Sequence, residues 1–241
     1  MNDPDRFALI RRAGRRIVEL GEKSPTARVP RYPGHTVADL LVHTGLVHRR
    51  ATRIVRERLT QRPEPDPAPE GDIPRWFAEG LDEMIETLEG ADPVMSCWGF
   101  GPRPTVAVWT RRMAIETDVH RWDAEAAVGE PTAFTPEMAL DAIDELQVMA
   151  PRWSPSEGTR RLGPVVTVAP EESGNRWTLV EKDQGYEFVP GALADATVSG
   201  SASDLLLALF GRQHGTLTET GDADAHRRWR AIVASLKDAA L

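Results

Sequence analysis

Residues 112–123 read RMAIETDVHRWD, and the fold follows from how these letters fall on a helix. At about 100° per residue, Glu116 and His120 lie about 40° apart, and Arg112 and Asp123 lie within about 40° of Glu116. Trp109, Met113, Val119 and Ala127 occupy the same face, so four polar groups sit inside the stripe that should point into a helical bundle. A buried carboxylate persists only when paired or bound to a metal. Glu-x-x-x-His on one face supplies two metal ligands, and bundles place metal sites between facing helices. The segment therefore predicts an inward-facing helix from about Thr105 to Val128, closed by Gly129.

Four further helices are expected around it. Phe7, Ile10, Gly14, Ile17 and Leu20 recur at helical spacing and stop near Gly21. Thr36 caps a second helix with Asp39 three residues on, and Leu40, Val47, Ala51 and Ile54 form its apolar stripe. Residues 62–71 (RPEPDPAPEG) carry four prolines in ten and read as an extended connection. A third helix runs through Phe77, Leu81, Met84, Ile85 and Leu88, and a fifth starts at Thr135-Pro136 with Leu140, Ile143 and Leu146. From about Pro151 the texture changes. Residues 164–168 and 176–180 are rich in β-branched and aromatic residues, Tyr186 to Val189 alternates, and Gly185 fits the intervening turn. Ala196 to Ser199 reads as another strand, and helices return at about Ala202 to Phe210 and Ala223 to Asp238. The expectation is a helical bundle over 1–150 and a small α+β domain with an antiparallel sheet over 151–241.

Composition limits the chemistry. The 241 residues hold 29 Lys plus Arg against 37 Asp plus Glu, a formal charge of −8, which lacks the basic footprint of a nucleic-acid or anionic-membrane binder. Cys97 is the single cysteine, so a thiolate-rich zinc or iron–sulfur site within one chain is excluded and a reducing cytoplasm is expected. Charges run through Met1 to Lys23, unlike a signal peptide, and no stretch approaches the roughly 20 apolar residues of a membrane helix. Any metal must be held by imidazole and carboxylate. The expected partners are a small-molecule substrate and its co-reactant, with the chain a monomer or homodimer.

A third ligand must come from another helix. His43, at the edge of the second helix's apolar stripe, can point inward, whereas His48 lies about 140° away and cannot join it on one ion. His43, Glu116 and His120 would leave a coordination position open, as in catalytic zinc. Asp39, one turn before His43, is a candidate to orient its ring, as Asp123 and Arg112 are for His120 and Glu116. The same spacing also permits a purely structural strip in which Glu116 pairs with Arg112 and His120 with Asp123. The residues alone leave both readings open. His35, His214 and His226 read as surface histidines, and Cys97 as a small buried hydrophobe.

Three segments carry a resemblance: Val29-Pro30 with Pro33 to His43, Arg111 to Glu125, and Ala196 to Gly200 with Asp204 to Leu207. In this order they resemble the mycothiol-dependent maleylpyruvate isomerase family of actinobacteria. The resemblance implies a DinB-like metal-binding bundle followed by a sterol-carrier-like domain, with metal ligands at His43, Glu116 and His120. The chain departs from the family pattern at His35 and Ile115. It further implies zinc and mycothiol as cofactors, and a thiolate that adds to an electrophilic carbon in an isomerase or S-transferase. Arg212 and, secondarily, Arg103 are candidates for a substrate carboxylate, Arg212 fitting equally as a helix C-terminal charge. Two other functions suit the same residues: a zinc–water hydrolase, and a non-catalytic binder of an apolar ligand in the second domain.

Overall fold

The computed structural model describes residues 1–152, 161–213 and 215–235. His214 and the expected end of the last helix at Asp238 lie outside them. The chain divides into two compact units, Met1–Thr132 and Ala133–Leu241.

The first unit holds α1 (Asp3–Lys23), α2 (Val37–Arg56), α3 (Ile73–Gly90) and α4 (Val106–Ala127). Each of the first three begins where a side chain takes up a free backbone N–H: Asn2 from Asp5, Thr36 from Asp39, Asp72 from Arg75. Thr36 and Asp39 form the full reciprocal capping box. α2 packs on α3, and α1 on α4. Close approach of α2 and α3 depends on Gly45, where an added Cβ would run into the Trp76 ring. Arg49 lies over that ring at 3.8 Å and donates to Trp76 O at 2.7 Å.

α4 differs from the one-faced helix of the sequence reading. Every residue from Arg112 to Glu125 is buried, because α1 and α2 both pack against it and α3 touches it. Its α1 side carries a second charged set. Arg121 donates to Asp118 (2.9 Å), Glu125 (2.7 Å) and Thr132 O (2.9 Å), while Arg16 of α1 reaches Glu125 at 3.3 Å. Ion pairing satisfies these buried charges, which otherwise could not be tolerated.

The second unit contains α5 (Pro136–Met149), β1 (Gly163–Pro170), β2 (Trp177–Lys182), β3 (Gly185–Pro190), β4 (Ala196–Gly200), α6 (Ala202–Leu209), β5 (Thr218–Gly221) and α7 (Ala223–Ser235). The sheet order is β3-β2-β1-β4-β5. Three strand pairs are antiparallel, but β4 runs parallel to β1, so the sheet is mixed rather than antiparallel. Residues 191–195 carry the chain from β3 to β4 across the sheet. Buried Thr178 donates to Ala192 O (2.6 Å), and Ala194 N donates to Thr167 Oγ1 (2.9 Å), which holds this crossing in place. β5, with the sequence TETG, is wholly exposed and has no apolar alternation, so periodicity could not reveal it.

α5 belongs to this unit, placing the division at 132/133 where the sequence reading has 150/151. Its buried residues Met138, Ala139, Ala142, Ile143 and Leu146 give it an apolar side, and it packs against α6 and β3. Amphipathicity announces that such a helix needs a partner without saying which. His226, expected at the surface, is buried on α7 with Nε2 2.9 Å from Thr220 O. Among the described residues no helix is long and apolar enough to cross a membrane.

Candidate metal centre

α2 and α4 place His43, Glu116 and His120 together, with one ligand atom from each lying within 4.8 Å of the others. His43 Nε2 is 3.6 Å and His120 Nε2 3.2 Å from Glu116 Oε1. Tetrahedral zinc with N and O ligands at about 2.0–2.1 Å requires ligand atoms about 3.3 Å apart, so this spacing suits a small divalent ion. His43 Nε2 is also buried without a hydrogen-bond partner. A ring nitrogen in that state, aimed at a carboxylate and a second imidazole, fits a ligand better than a structural histidine.

The surrounding groups prepare the set. His120 Nδ1 lies 2.9 Å from Asp123 Oδ2, and an ionised carboxylate can only accept, so Nδ1 carries the proton there. Burial by itself lowers the His120 pKa, yet the bonds to Asp123 and Glu116 raise it above the ordinary imidazole value. Burial pushes the Glu116 carboxyl upward, but Arg112 and the two imidazoles hold it well below the usual carboxylate range. Arg112 binds Glu116 through Oε2, leaving Oε1 toward the histidines. Glu116 is thus an anion held for a cation.

Tyr32 completes one wall, its ring 6.3 Å from His120, while His43 and His120 stand edge to face at 5.2 Å. The loop 29–35 positions it through Val29 N to His35 O (3.0 Å), Tyr32 N to Val29 O (3.1 Å) and His35 N to Tyr32 O (2.9 Å). No periodicity singles out Tyr32. Its only sequence signal is its position among prolines just before the α2 cap.

Other expected site residues lie elsewhere. Asp39 does not orient His43; its carboxylate accepts from Thr36 N and Thr36 Oγ1, both at 2.8 Å, and is occupied by the helix cap. Arg103 is exposed in the loop before α4. Arg212 is buried in the second unit and donates to Phe210 O at 3.0 Å. Cys97 is buried, and burial raises its thiol pKa, which suits a core residue and not a nucleophile. His48, with Nε2 2.9 Å from Thr117 Oγ1, stays apart from the triad as its helical angle requires.

Residues 7–125, spanning all four helices of the first unit, match the mycothiol maleylpyruvate isomerase N-terminal domain. This match places the first unit of the chain in that domain family. All three candidate ligands lie inside the matched range. Its fold is similar to a crystal structure of mycothiol-dependent maleylpyruvate isomerase at TM-score 0.59 and 14% identity, covering 92% of this chain and 95% of that one. A histidine-to-alanine mutant of mycothiol-dependent maleylpyruvate isomerase matches over the same shares at TM-score 0.63 and 15% identity. At such identity the likeness establishes the fold shared with the family. No curated protein matches the chain.

Proposed function

We propose that this protein is a metal-dependent enzyme that uses a low-molecular-weight thiol, mycothiol by the likeness of its first unit, to isomerise or conjugate a small electrophilic substrate. The observation that carries the reading is the buried His43 Nε2, which makes no hydrogen bond and faces Glu116 at 3.6 Å, beside a His120 whose other nitrogen is held by Asp123. His43, Glu116 and His120 would hold the ion, with zinc the best match to two imidazoles and a carboxylate. A bound divalent ion of this kind stabilises thiolate over thiol near neutral pH, supplying the nucleophile that buried Cys97 does not.

The protein's own groups do the positioning. Asp123 keeps the His120 ring oriented with Nε2 toward the centre, and Arg112 keeps Glu116 ionised. Tyr32 covers one side of the His120 ring. The single cysteine suits a reducing cytoplasm.

Metal quantification on purified protein, followed by turnover of an electrophile panel with and without mycothiol, tests the reading. The expected result is about one divalent ion per chain and turnover that needs the thiol. Turnover independent of thiol would favour the metal–water reading instead, and absence of metal would remove both.

A further inference from the structure

Arg50 is a charged group near this centre that the ligand set leaves unused. It stands two turns beyond His43 on α2, so the two residues share a face about 10 Å apart along the axis. Helical side chains lean toward the N-terminus, so the Arg50 side chain leaves α2 on the His43 side of its Cα. Three hydrogen bonds give the level on α4. His48 Nε2 meets Thr117 Oγ1 at 2.9 Å, and just past the end of α2, Leu59 O accepts from Trp98 N at 2.5 Å while Trp98 O accepts from Trp109 Nε1 at 2.6 Å. The helices therefore run antiparallel, and Arg50 falls between the levels of Thr117 and Trp109, near that of Glu116. Glu116 is among the charges that act on it.

Arg50 is half-buried, and among the described residues it makes no hydrogen bond or ion pair. Its neighbours differ. Arg49 donates to Trp76 O, Arg53 lies 3.5 Å from Glu57 and 3.8 Å from Asp66, and Arg112 binds Glu116. Burial and the like charge of Arg62 both disfavour the Arg50 cation, and Glu116 and Asp66 offset this only in part. Glu116 is already shared by Arg112 and the two histidines. A five-donor fork is thus partly desolvated with its donors unfilled.

Charge balance agrees. Glu116 and Asp123 are matched by Arg112 and Arg50, so a divalent ion on the triad leaves a surplus of two positive charges, which favours an anionic ligand. We propose that Arg50 is the anion-recognition residue of this centre and takes a carboxylate of the small-molecule substrate. The proposal rests on the metal-site reading for the location of the substrate, and on Arg50's own unfilled donors for its chemistry.

Calorimetric titration of zinc-loaded full-length protein with malonate tests it, alongside Arg50→Gln and Arg50→Lys. Malonate should bind the wild type, Arg50→Gln should bind at least about tenfold more weakly, and Arg50→Lys should fall between, since ammonium lacks the bidentate fork. Zinc content should be equal in all three. Equal malonate affinity in wild type and Arg50→Gln, or no binding by wild type, overturns the proposal. If Arg50→Gln fails to fold, the Arg50→Lys comparison decides: weaker binding supports the assignment and unchanged binding overturns it. Should the wild type hold no zinc, the metal reading fails separately, and the same comparison in metal-free protein still decides Arg50.

Discussion

His120 Nδ1 and Asp123 Oδ2 lie 2.9 Å apart, one turn along α4, with both side chains almost wholly buried. This bond fixes which His120 nitrogen faces Glu116 and His43. Replacing Asp123 by Asn removes the charged acceptor with little change in volume. Zinc affinity should fall by about 10–100-fold with helical circular dichroism retained, as chelator competition would show. Unchanged affinity would mean that Asp123 does not orient the ring for metal.

His43→Ala and His120→Ala should each lower metal content from about one equivalent to near zero in protein purified without added metal. Elemental analysis measures this directly. Full metal content in both variants rules out the ligand assignment.

His48 carries a pH dependence set chiefly by its burial. Burial pushes its pKa from the ordinary 6.5 to about 3, so it is neutral in the folded protein. Below pH 6.5 the unfolded chain takes up a proton that the native state refuses, and stability is lost as pH falls toward 3, at up to about 1.4 kcal/mol per pH unit. Above 6.5 the contribution is fully present. His48→Gln should be less stable than wild type at pH 7.5, and the gap should narrow steadily toward pH 5 in thermal melts of metal-free protein. A gap constant over that range contradicts the burial of a neutral imidazole.

Gly45 and Gly90 should respond oppositely to alanine. A Cβ at Gly45 collides with the Trp76 ring, while one at Gly90, at the end of α3, meets nothing within 4 Å. Gly45→Ala should destabilise by about 1–3 kcal/mol despite the gain in helix propensity, and Gly90→Ala should stabilise by about 0.5 kcal/mol. Urea denaturation of the two variants distinguishes packing from propensity.

Much of the helical part of the chain was legible because local rules act within a few residues. The Thr36 and Asp39 box, the Thr135-Pro136 start and Gly129 after α4 at φ +81° all stand where capping chemistry places them. The proximity of Glu116 and His120 is a property of any helix containing E-x-x-x-H. Asp39 was misread for the same reason that its cap was found. One carboxylate had two plausible partners, and the nearer backbone and hydroxyl donors of Thr36 hold it.

Spacing and composition alone determined that a metal could be held only by imidazole and carboxylate, and that α4 carried two such groups on one face. Tertiary structure decided what lay across from them. It brought His43 and Tyr32 to His120, packed α5 against α6 and β3, set β4 parallel to β1, and left Arg50 without a partner beside Glu116. The physical reason is the range of the forces involved. Caps and helical faces are fixed by bonds spanning three or four residues, whereas an apolar face or a buried charge can be satisfied by any surface of matching shape. Only packing selects which one.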